Sequence, residues 1–230
     1  MIFLGLIGSG LGWQEIADTC KPSLSKANFG MLLDEQESQL VLVDYQARLM
    51  PAIFEGDAVL ANAMRLAQAA QCMGVPAWGT EQNPDKLGTN PEAMRALCQR
   101  TLAKMSFSAC HEGLIDVLRP VAKPPAGNAR SLPKHLQKAV PQTPSRQTLV
   151  LAGVEAHVCL LQTALELLEE EFDVVVVTDA CGSRTERNRD AAFDRLAGAG
   201  AELVTTEMVL FEWLRSADAP EFKAVQALIK

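Results

Sequence analysis

The sequence predicts an α/β protein in which a doubly wound, mostly parallel six-stranded sheet carries helices on both faces. From Met31 onward, short apolar runs alternate with segments whose apolar residues recur at helical spacing, which is typical of strand–helix–strand units. Most of the apolar runs are rich in β-branched residues and show no alternation of polar and apolar positions. Such runs indicate parallel strands that are covered on both faces.

Five of the strands stand out from the pattern, and helical segments lie between them. The strands are Leu40–Val43, Val75–Gly79, Thr148–Ala152, Val174–Val177 and Glu202–Thr205. The helices are Ala58–Met73, Pro91–Gln99, His111–Leu118, His157–Glu170 and Glu186–Ala199. At the end of the chain, Pro220–Lys230 has apolar residues at helical spacing, which predicts a helix packed on the body of the protein or on another subunit.

The 230 residues are enough for one sizeable core, and the pattern assigns that core to a single domain over residues 31–230. Residues 1–30 are predicted to be an extension outside the core. The glycines of this extension do not complete a dinucleotide-binding GxGxxG motif, because Trp13 stands at the last glycine position. Its apolar start lacks a basic flank and is too short to span a bilayer. The proline-rich residues 119–146 predict a surface insertion, with a lid or a subunit contact as the alternative.

Composition argues against several classes of protein. A formal net charge of -7 provides no basic face for DNA, RNA or an anionic membrane. None of the six cysteines forms a CxxC pair, and the three histidines stand at no zinc-ligand spacing with them, so we expect no metal and no cofactor. Scattered cysteines in a chain of this size indicate reduced thiols and a cytoplasmic protein.

Polar residues follow three of the predicted strands, at the edge where ligands of open parallel sheets bind. Asp44 follows the first strand directly. Glu81 and Gln82 follow the second strand, and Thr178 and Asp179 follow the run of four valines. Any of these side chains can reach a shared crevice.

Cys159 lies just past the strand TLVLAG, in the first turn of the next predicted helix. In a projection at about 100° per residue, the helix has an apolar stripe of Leu161, Ala164, Leu165 and Leu168. Cys159 falls on the opposite, polar face, together with Gln162, Thr163, Glu166 and Glu170. A structural cysteine behaves as a small hydrophobe and is expected on the apolar stripe. The helix start also favours a thiolate and offers N–H groups to an oxyanion, so we interpret Cys159 as a nucleophile, with an inert first-turn residue as the alternative.

A cysteine nucleophile needs a base or a positive neighbour. His157 is close in sequence, but a lone histidine in a sharp strand-to-helix turn is more often structural. Asp44 is suited to moving protons and Lys104 to holding a thiolate, although spacing alone does not bring either of them to Cys159.

Four segments resemble the isochorismatase-like cysteine hydrolases. They are LVLVDYQ (residues 40–46), AKMSFSA (103–109), LAGVEAHVCLLQTALELL (151–168) and VTDACGSR (177–184). The resemblance covers most of residues 31–230. EQNPDKLGTN (81–90) and the tail EFKAVQALIK are most similar to the branch called isochorismatase domain-containing proteins.

The resemblance implies a Rossmann-like parallel sheet and a catalytic triad of Asp44, Lys104 and Cys159. Asp44 would act as general base and then acid, Lys104 would lower the pKa of the thiol, and Cys159 would attack a carbonyl or nitrile-like carbon. The resemblance also implies a cis peptide bond at Val154–Glu155, and an oxyanion hole formed by the N–H groups of Glu155 and Cys159.

Two departures from related enzymes narrow the expected reaction. Nicotinamidases have an Asp-x-His metal motif after the second strand, where this chain reads GTEQNP, so we expect a metal-independent enzyme. Isochorismatases cleave a vinyl ether and do not need a cysteine, so Cys159 favours amide-type hydrolysis of a small molecule. Ether hydrolysis with Asp44 as the acid is one alternative, and a non-enzymatic protein with a redox-sensing, low-pKa thiol is another. We expect a homo-oligomer with no nucleic-acid or membrane partner.

Overall fold

Six strands form one sheet in the computed structural model, which describes residues 32–120 and 146–230. The strands are β1 (Ser38–Val43), β2 (Ala77–Gln82), β3 (Arg100–Lys104), β4 (Thr148–Gly153), β5 (Asp173–Val177) and β6 (Glu202–Val204). They lie in the order β3-β2-β1-β4-β5-β6, and every neighbouring pair is parallel. The predicted six-stranded sheet is therefore confirmed, and it is parallel throughout.

The helices of the described residues connect these strands and close the chain. They are α1 (Gly56–Cys72), α2 (Pro84–Leu87), α3 (Glu92–Leu97), α4 (Leu114–Leu118), α5 (Leu161–Glu169), α6 (Glu186–Gly198), α7 (Thr206–Leu214) and α8 (Phe222–Leu228). Because parallel crossovers are right-handed, the helices between β1 and β3 lie on one face of the sheet and those between β3 and β6 on the other. The contacts agree, since α1 packs against α3, α7 and α8, whereas α5 packs against α6.

The two central strands, β1 and β4, explain why the apolar runs show no alternation. All residues of β1 are buried, and so are all residues of β4 after Thr148. A side chain on either face of these strands meets a helix layer rather than water.

Two strands differ most from their sequence prediction, while the bounds of the others differ by one or two residues. β2 was expected at Val75–Gly79 but begins at Ala77, because Pro76 has no N–H to donate to the ladder. It continues to Gln82 through polar residues that are nevertheless buried. β3 was not marked by the pattern at all, because it is an edge strand with an exposed Arg100 and an exposed Ala103, and edge strands carry charge rather than continuous apolar runs.

The helices also differ from prediction, and the helix predicted from His157 continues as regular α-helix only from Leu161, after a π turn. The helix predicted from His111 begins only at Leu114, because Gly113 (φ 95°) separates it from a short 3-10 turn at Cys110–Glu112. Helix α7 was not predicted. Thr205, which had been assigned to the end of the last strand, instead caps α7 by accepting a hydrogen bond from the Met208 N–H.

The tail helix is confirmed as α8, which packs on α1. The predicted extension at 1–30 and most of the predicted insertion at 119–146 lie outside the described residues, so both stay predictions. Within 32–120 and 146–230, no helix has the length and apolar character needed to cross a bilayer.

Gly153 allows β4 to approach β1 at the end of both strands. A Cβ at position 153 would lie 2.5 Å from Val43 Cβ and 2.7 Å from Val43 O. We therefore expect Gly153→Ala to lower the free energy of unfolding by roughly 1–3 kcal/mol, because the backbone must move apart. Gly198→Ala is the control, since a Cβ there meets nothing within 4 Å. Urea unfolding of both variants measures the difference, and equal stabilities would contradict this explanation.

Candidate active site

The strand order reverses between β1 and β4, since β2 and β3 continue on one side and β5 and β6 on the other. In open parallel sheets, ligands bind beyond the carboxyl ends of the strands at such a switch point. Asp44 directly follows β1, and Cys159 lies six residues after the end of β4, so both flank the switch point. Lys104 is the last residue of β3, and its side chain reaches across the end of β2 to Asp44.

Lys104 and Asp44 form a buried ion pair. Lys104 Nζ lies 2.8 Å from Asp44 Oδ2, and both side chains are wholly buried. The same ammonium donates hydrogen bonds to Gln82 Oε1 at 2.7 Å and to the Phe107 carbonyl at 2.9 Å, and the Ser106 carbonyl lies at 3.4 Å. A buried charge is costly unless it is paired and hydrogen-bonded, and these partners supply both conditions.

The two carboxylate oxygens of Asp44 differ in their surroundings. Oδ1 accepts a hydrogen bond from Thr80 Oγ1 at 2.8 Å. Oδ2 is close to the Lys104 ammonium, but the contact does not have hydrogen-bond alignment, and no donor among the described residues makes a hydrogen bond to it. Oδ2 therefore has a compensating charge beside it and still has a lone pair that can accept a proton.

Cys159 lies in a π turn, Ala156–Leu160, and is only 5% exposed. Its Sγ is 4.0 Å from Gln82 Oε1, at the limit of a weak S–H···O hydrogen bond. The pKa of the thiol is raised to about 12, first by burial and then by the negative charge of Asp44, while the Lys104 ammonium acts in the opposite direction.

The raised pKa favours a neutral resting thiol, whereas the expectation from the sequence was a stabilised thiolate. That expectation considered only the helix start and the positive charge of Lys104. In the structure, the Lys104 ammonium does favour the thiolate, but burial and the Asp44 carboxylate outweigh it.

The polar face on which Cys159 was placed is only partly exposed. Gln162 and Glu170 lie at the surface, but Thr163 is fully buried and accepts a hydrogen bond from the Ala109 N–H, and the half-buried Glu166 accepts one from the Ser108 hydroxyl. The helical projection assumed regular α-helix from the start, whereas the Leu160 N–H donates to the Glu155 carbonyl five residues back. Through Thr163 and Glu166, this face packs on the loop that follows β3.

This loop, residues 105–112, is held by a second carboxylate. Glu112 Oε1 accepts hydrogen bonds from the N–H groups of Met105 and Ser106 and from the Ser106 hydroxyl, and these bonds lower the pKa of Glu112. The loop presents the Ser106 and Phe107 carbonyls to the Lys104 ammonium. Sequence reasoning missed this function of Glu112, because its partners are backbone groups with no signature in the sequence.

The turn before Cys159 has the geometry that the resemblance implied, since the Val154–Glu155 peptide bond is cis. The Glu155 carboxylate accepts hydrogen bonds from the N–H and from Nε of Arg184, at 3.1 and 2.9 Å. The Ala156 N–H donates to the Gly182 carbonyl at 2.7 Å. The segment that follows β5 thus holds the turn on the side away from β1.

The other polar residues at strand ends have structural partners. Asp179 accepts hydrogen bonds from the Thr206 N–H and hydroxyl at the start of α7, and Thr178 donates to the Val204 carbonyl. Glu81 is buried, and it accepts a hydrogen bond from the Asn90 N–H.

His157 does not join Cys159 through any hydrogen bond of the described residues. Its Nδ1 lies 3.0 Å from Ser183 Oγ, and its Nε2 lies 3.3 Å from Asn188 Nδ2. These contacts agree with the interpretation of His157 as a structural residue. In the part of the chain that the structure describes, no group of three or more His, Cys, Asp or Glu side chains is placed to hold a metal.

Comparisons with known proteins agree with this fold. The family model of the isochorismatase domain matches residues 38–208. Isochorismatase domain-containing protein 2B of Mus musculus is 32% identical over 206 residues, which are 90% of this chain and 87% of that protein. A solved structure of a MAR1 ribonuclease from Caenorhabditis elegans has a TM-score of 0.72 at 30% identity, and the match covers 86% of this chain and 92% of that one. The YcaC gene product of Escherichia coli, described as an octameric hydrolase of unknown specificity, has a TM-score of 0.70 at 26% identity, with coverages of 91% and 92%.

Proposed function

Since this chain belongs to the isochorismatase family, we propose that it is a cysteine hydrolase that acts on a small carbonyl substrate of the amide class. One observation carries the proposal. The Cys159 thiol, the Asp44 carboxylate and the Lys104 ammonium lie together in a buried cluster at the switch point of the sheet. They are a nucleophile, a proton carrier and a fixed positive charge, which acyl transfer through a covalent intermediate requires.

In the first step, Asp44 Oδ2 takes the thiol proton as the Cys159 sulfur attacks the carbonyl carbon. Proton transfer has to accompany the attack, because a thiol with a pKa of about 12 is not ionised beforehand. The unbonded lone pair of Oδ2 supports this role for Asp44. Lys104 stays charged beside the carboxylate and compensates the negative charge that passes between sulfur and oxygen.

The carbonyl oxygen becomes an oxyanion when the C–S bond forms, and we assign its stabilisation to the N–H groups of Glu155 and Cys159. The Glu155 N–H donates no hydrogen bond to another described residue, so it is available for an incoming oxygen. The bonds from Arg184 to the Glu155 carboxylate support this role, because they hold the side chain of the residue that carries the donor.

In the second half of the reaction, the oxyanion collapses and the C–N bond breaks. Asp44 gives its proton to the leaving amine, which leaves an acyl thioester on Cys159. Water then attacks the thioester while Asp44 accepts a proton from it, and the C–S bond breaks. The proton on Asp44 returns to the sulfur, so the enzyme regains its starting state.

The comparisons leave the substrate open. One structural neighbour is named as a ribonuclease, but a net charge of -7 gives little electrostatic support for binding a polyanion such as RNA. We therefore propose a small substrate. The octameric state of the E. coli neighbour supports the further proposal that this chain forms a homo-oligomer.

Intact-mass analysis after rapid acid quench tests the proposed function. We expect incubation with a panel of small primary amides and esters to yield a transient adduct with the mass of the acyl group. Peptide mapping should place this adduct on Cys159, and it should disappear as the acid product accumulates. Turnover of a panel member without any adduct on Cys159 would contradict the covalent mechanism, provided that the quench resolves a single turnover. No turnover across the panel, combined with a stable sulfenate on Cys159, would instead support the redox alternative.

A further inference from the structure

Gln82, at the end of β2, lies between two members of the proposed triad, although no sequence motif assigned it a function. Its Oε1 accepts a hydrogen bond from Lys104 Nζ at 2.7 Å and lies 4.0 Å from Cys159 Sγ. An amide oxygen has two lone pairs, so Oε1 is able to accept from the ammonium and from the thiol at the same time. Gln82 Oε1 therefore lies within hydrogen-bond distance of both groups, as a neutral acceptor beside the charged Asp44 carboxylate, which also lies close to both.

The orientation of this amide is determined by its surroundings. Gln82 Nε2 donates to the Met105 carbonyl at 2.7 Å, so a flipped amide would direct its oxygen at a carbonyl and its NH₂ group at the Lys104 ammonium. The backbone of Gln82 is held as well, since its N–H donates to Gln46 Oε1 at 2.7 Å and its carbonyl accepts from Gln46 Nε2 at 2.9 Å. The negative end of the amide dipole is thereby kept toward Cys159.

We propose that Gln82 is a positioning residue that keeps the proton on Cys159 between turnovers and holds the Lys104 ammonium against Asp44. An amide oxygen accepts a hydrogen bond but is too weak a base to remove a proton, so the S–H bond stays intact beside it. When a substrate carbonyl enters, the S–H group turns to Asp44 Oδ2. This oxygen accepts no hydrogen bond from another described residue, so it is free to accept one from the thiol. The S–H bond then breaks, an O–H bond forms on Asp44, and the sulfur electron pair attacks the carbon. This inference rests on the proposed cysteine mechanism.

Two substitutions at Gln82 should change the thiol in opposite directions. In Gln82→Met, a side chain of similar length lacks the amide oxygen, so the thiol loses its acceptor and the Lys104 ammonium is freed to pair with a thiolate. In Gln82→Glu, a side chain of almost the same shape places a negative charge beside the sulfur. The pKa of Cys159 should therefore rise in the order Met, Gln, Glu at position 82.

The experiment is the pH dependence of alkylation of Cys159 by iodoacetamide, followed by peptide mass mapping. For Gln82→Met we expect alkylation at neutral pH to be at least about tenfold faster than in the wild type, which corresponds to a thiol pKa lower by about one unit. For Gln82→Glu we expect slower alkylation than in the wild type. Both variants should lower kcat. Gln82→Met removes an acceptor that holds the Lys104 ammonium in place, and Gln82→Glu adds a carboxylate that competes with Asp44 for this ammonium.

Gln39→Met is the matched control, because Gln39 is also a buried glutamine with a fully bonded amide. Its partners are the Trp78 indole and the carbonyls of Leu118 and Arg146, none of which belongs to the candidate site. This variant should lower the melting temperature without moving the alkylation profile of Cys159. If Gln82 contributed only to stability, its variants would likewise lower the melting temperature and leave the alkylation profile of Cys159 unchanged.

The proposal for Gln82 is overturned if both substitutions move the alkylation profile in the same direction or if neither moves it. If Gln82→Met does not fold, Gln82→Glu decides alone, and alkylation as fast as in the wild type or faster overturns the proposal. Alkylation needs no substrate, so this result is separate from the proposed function. Absence of amide turnover in the wild type would argue against the function and leave the test of Gln82 intact.

Discussion

Cys159→Ala is expected to lower kcat/KM by roughly 10³- to 10⁶-fold, as is typical when a covalent nucleophile is removed. The alanine side chain cannot form the thioester, and the remaining groups can only assist direct attack by water. Steady-state kinetics on a substrate from the amide and ester panel measure the loss. The fold should be retained, because alanine removes only the sulfur and leaves the contacts that Asp44, Lys104 and Gln82 make with other groups.

Cys98→Ala is the control for this substitution. Cys98 is half-buried, and burial raises the pKa of its thiol to about 11, so it is also a thiol that stays protonated at neutral pH. It lies before β3 and outside the candidate site, so its removal should leave kcat/KM unchanged. Near-normal turnover by Cys159→Ala would contradict the covalent mechanism, and near-normal turnover of a vinyl ether by the same variant would favour ether hydrolysis with Asp44 as the acid.

Lys104→Met is expected to lower the free energy of unfolding by about 3–5 kcal/mol at neutral pH, in addition to abolishing turnover. The substitution removes the ammonium 2.8 Å from Asp44 and leaves a carboxylate that is fully buried without a counter-ion. Urea unfolding at neutral pH measures the effect.

A second substitution separates stability from catalysis at this pair. In Lys104→Met with Asp44→Asn, no buried charge is left, so we expect most of the lost stability to return while turnover stays absent. Lys86→Met, at an exposed lysine, should change neither quantity. If Lys104→Met alone were as stable as the wild type, the stability of the fold would not depend on the ammonium beside Asp44, and this prediction would be wrong.

The protonated state of Cys159 bears on the alternative of a redox-sensing protein. Sensor cysteines are accessible and have a lowered thiol pKa. Cys159 has the opposite properties, since it is 5% exposed and its pKa is raised to about 12. Low exposure and a raised thiol pKa argue against a redox sensor, and they agree with the proposal that Asp44 takes the proton of Cys159 during the reaction.

Asp44 and Cys159 were identified from the sequence by local arguments. Asp44 ends an apolar run and Cys159 follows another, and parallel strands place such residues at a shared edge. Lys104 came from motif resemblance alone. β3 is an edge strand, so its sequence lacks the continuous apolar run that marks central strands. Because no strand was predicted there, the sequence pattern did not place Lys104 at the carboxyl edge of the sheet.

The sequence by itself determined the alternation of strands and helices, most residues of the central strands and the chemical types at the site. These properties depend on local spacing, since burial on two faces requires apolar runs and helical packing requires its own period. Tertiary structure alone decided that Gln82 lies between Lys104 and Cys159, that Glu112 holds the loop beside them, and that burial and Asp44 raise the pKa of Cys159. The contacts of Gln82 join residues 22 and 77 positions apart in the chain, and the pKa depends on burial by the whole fold. Glu112 reaches backbone groups only six and seven residues away, but backbone groups leave no pattern in the sequence.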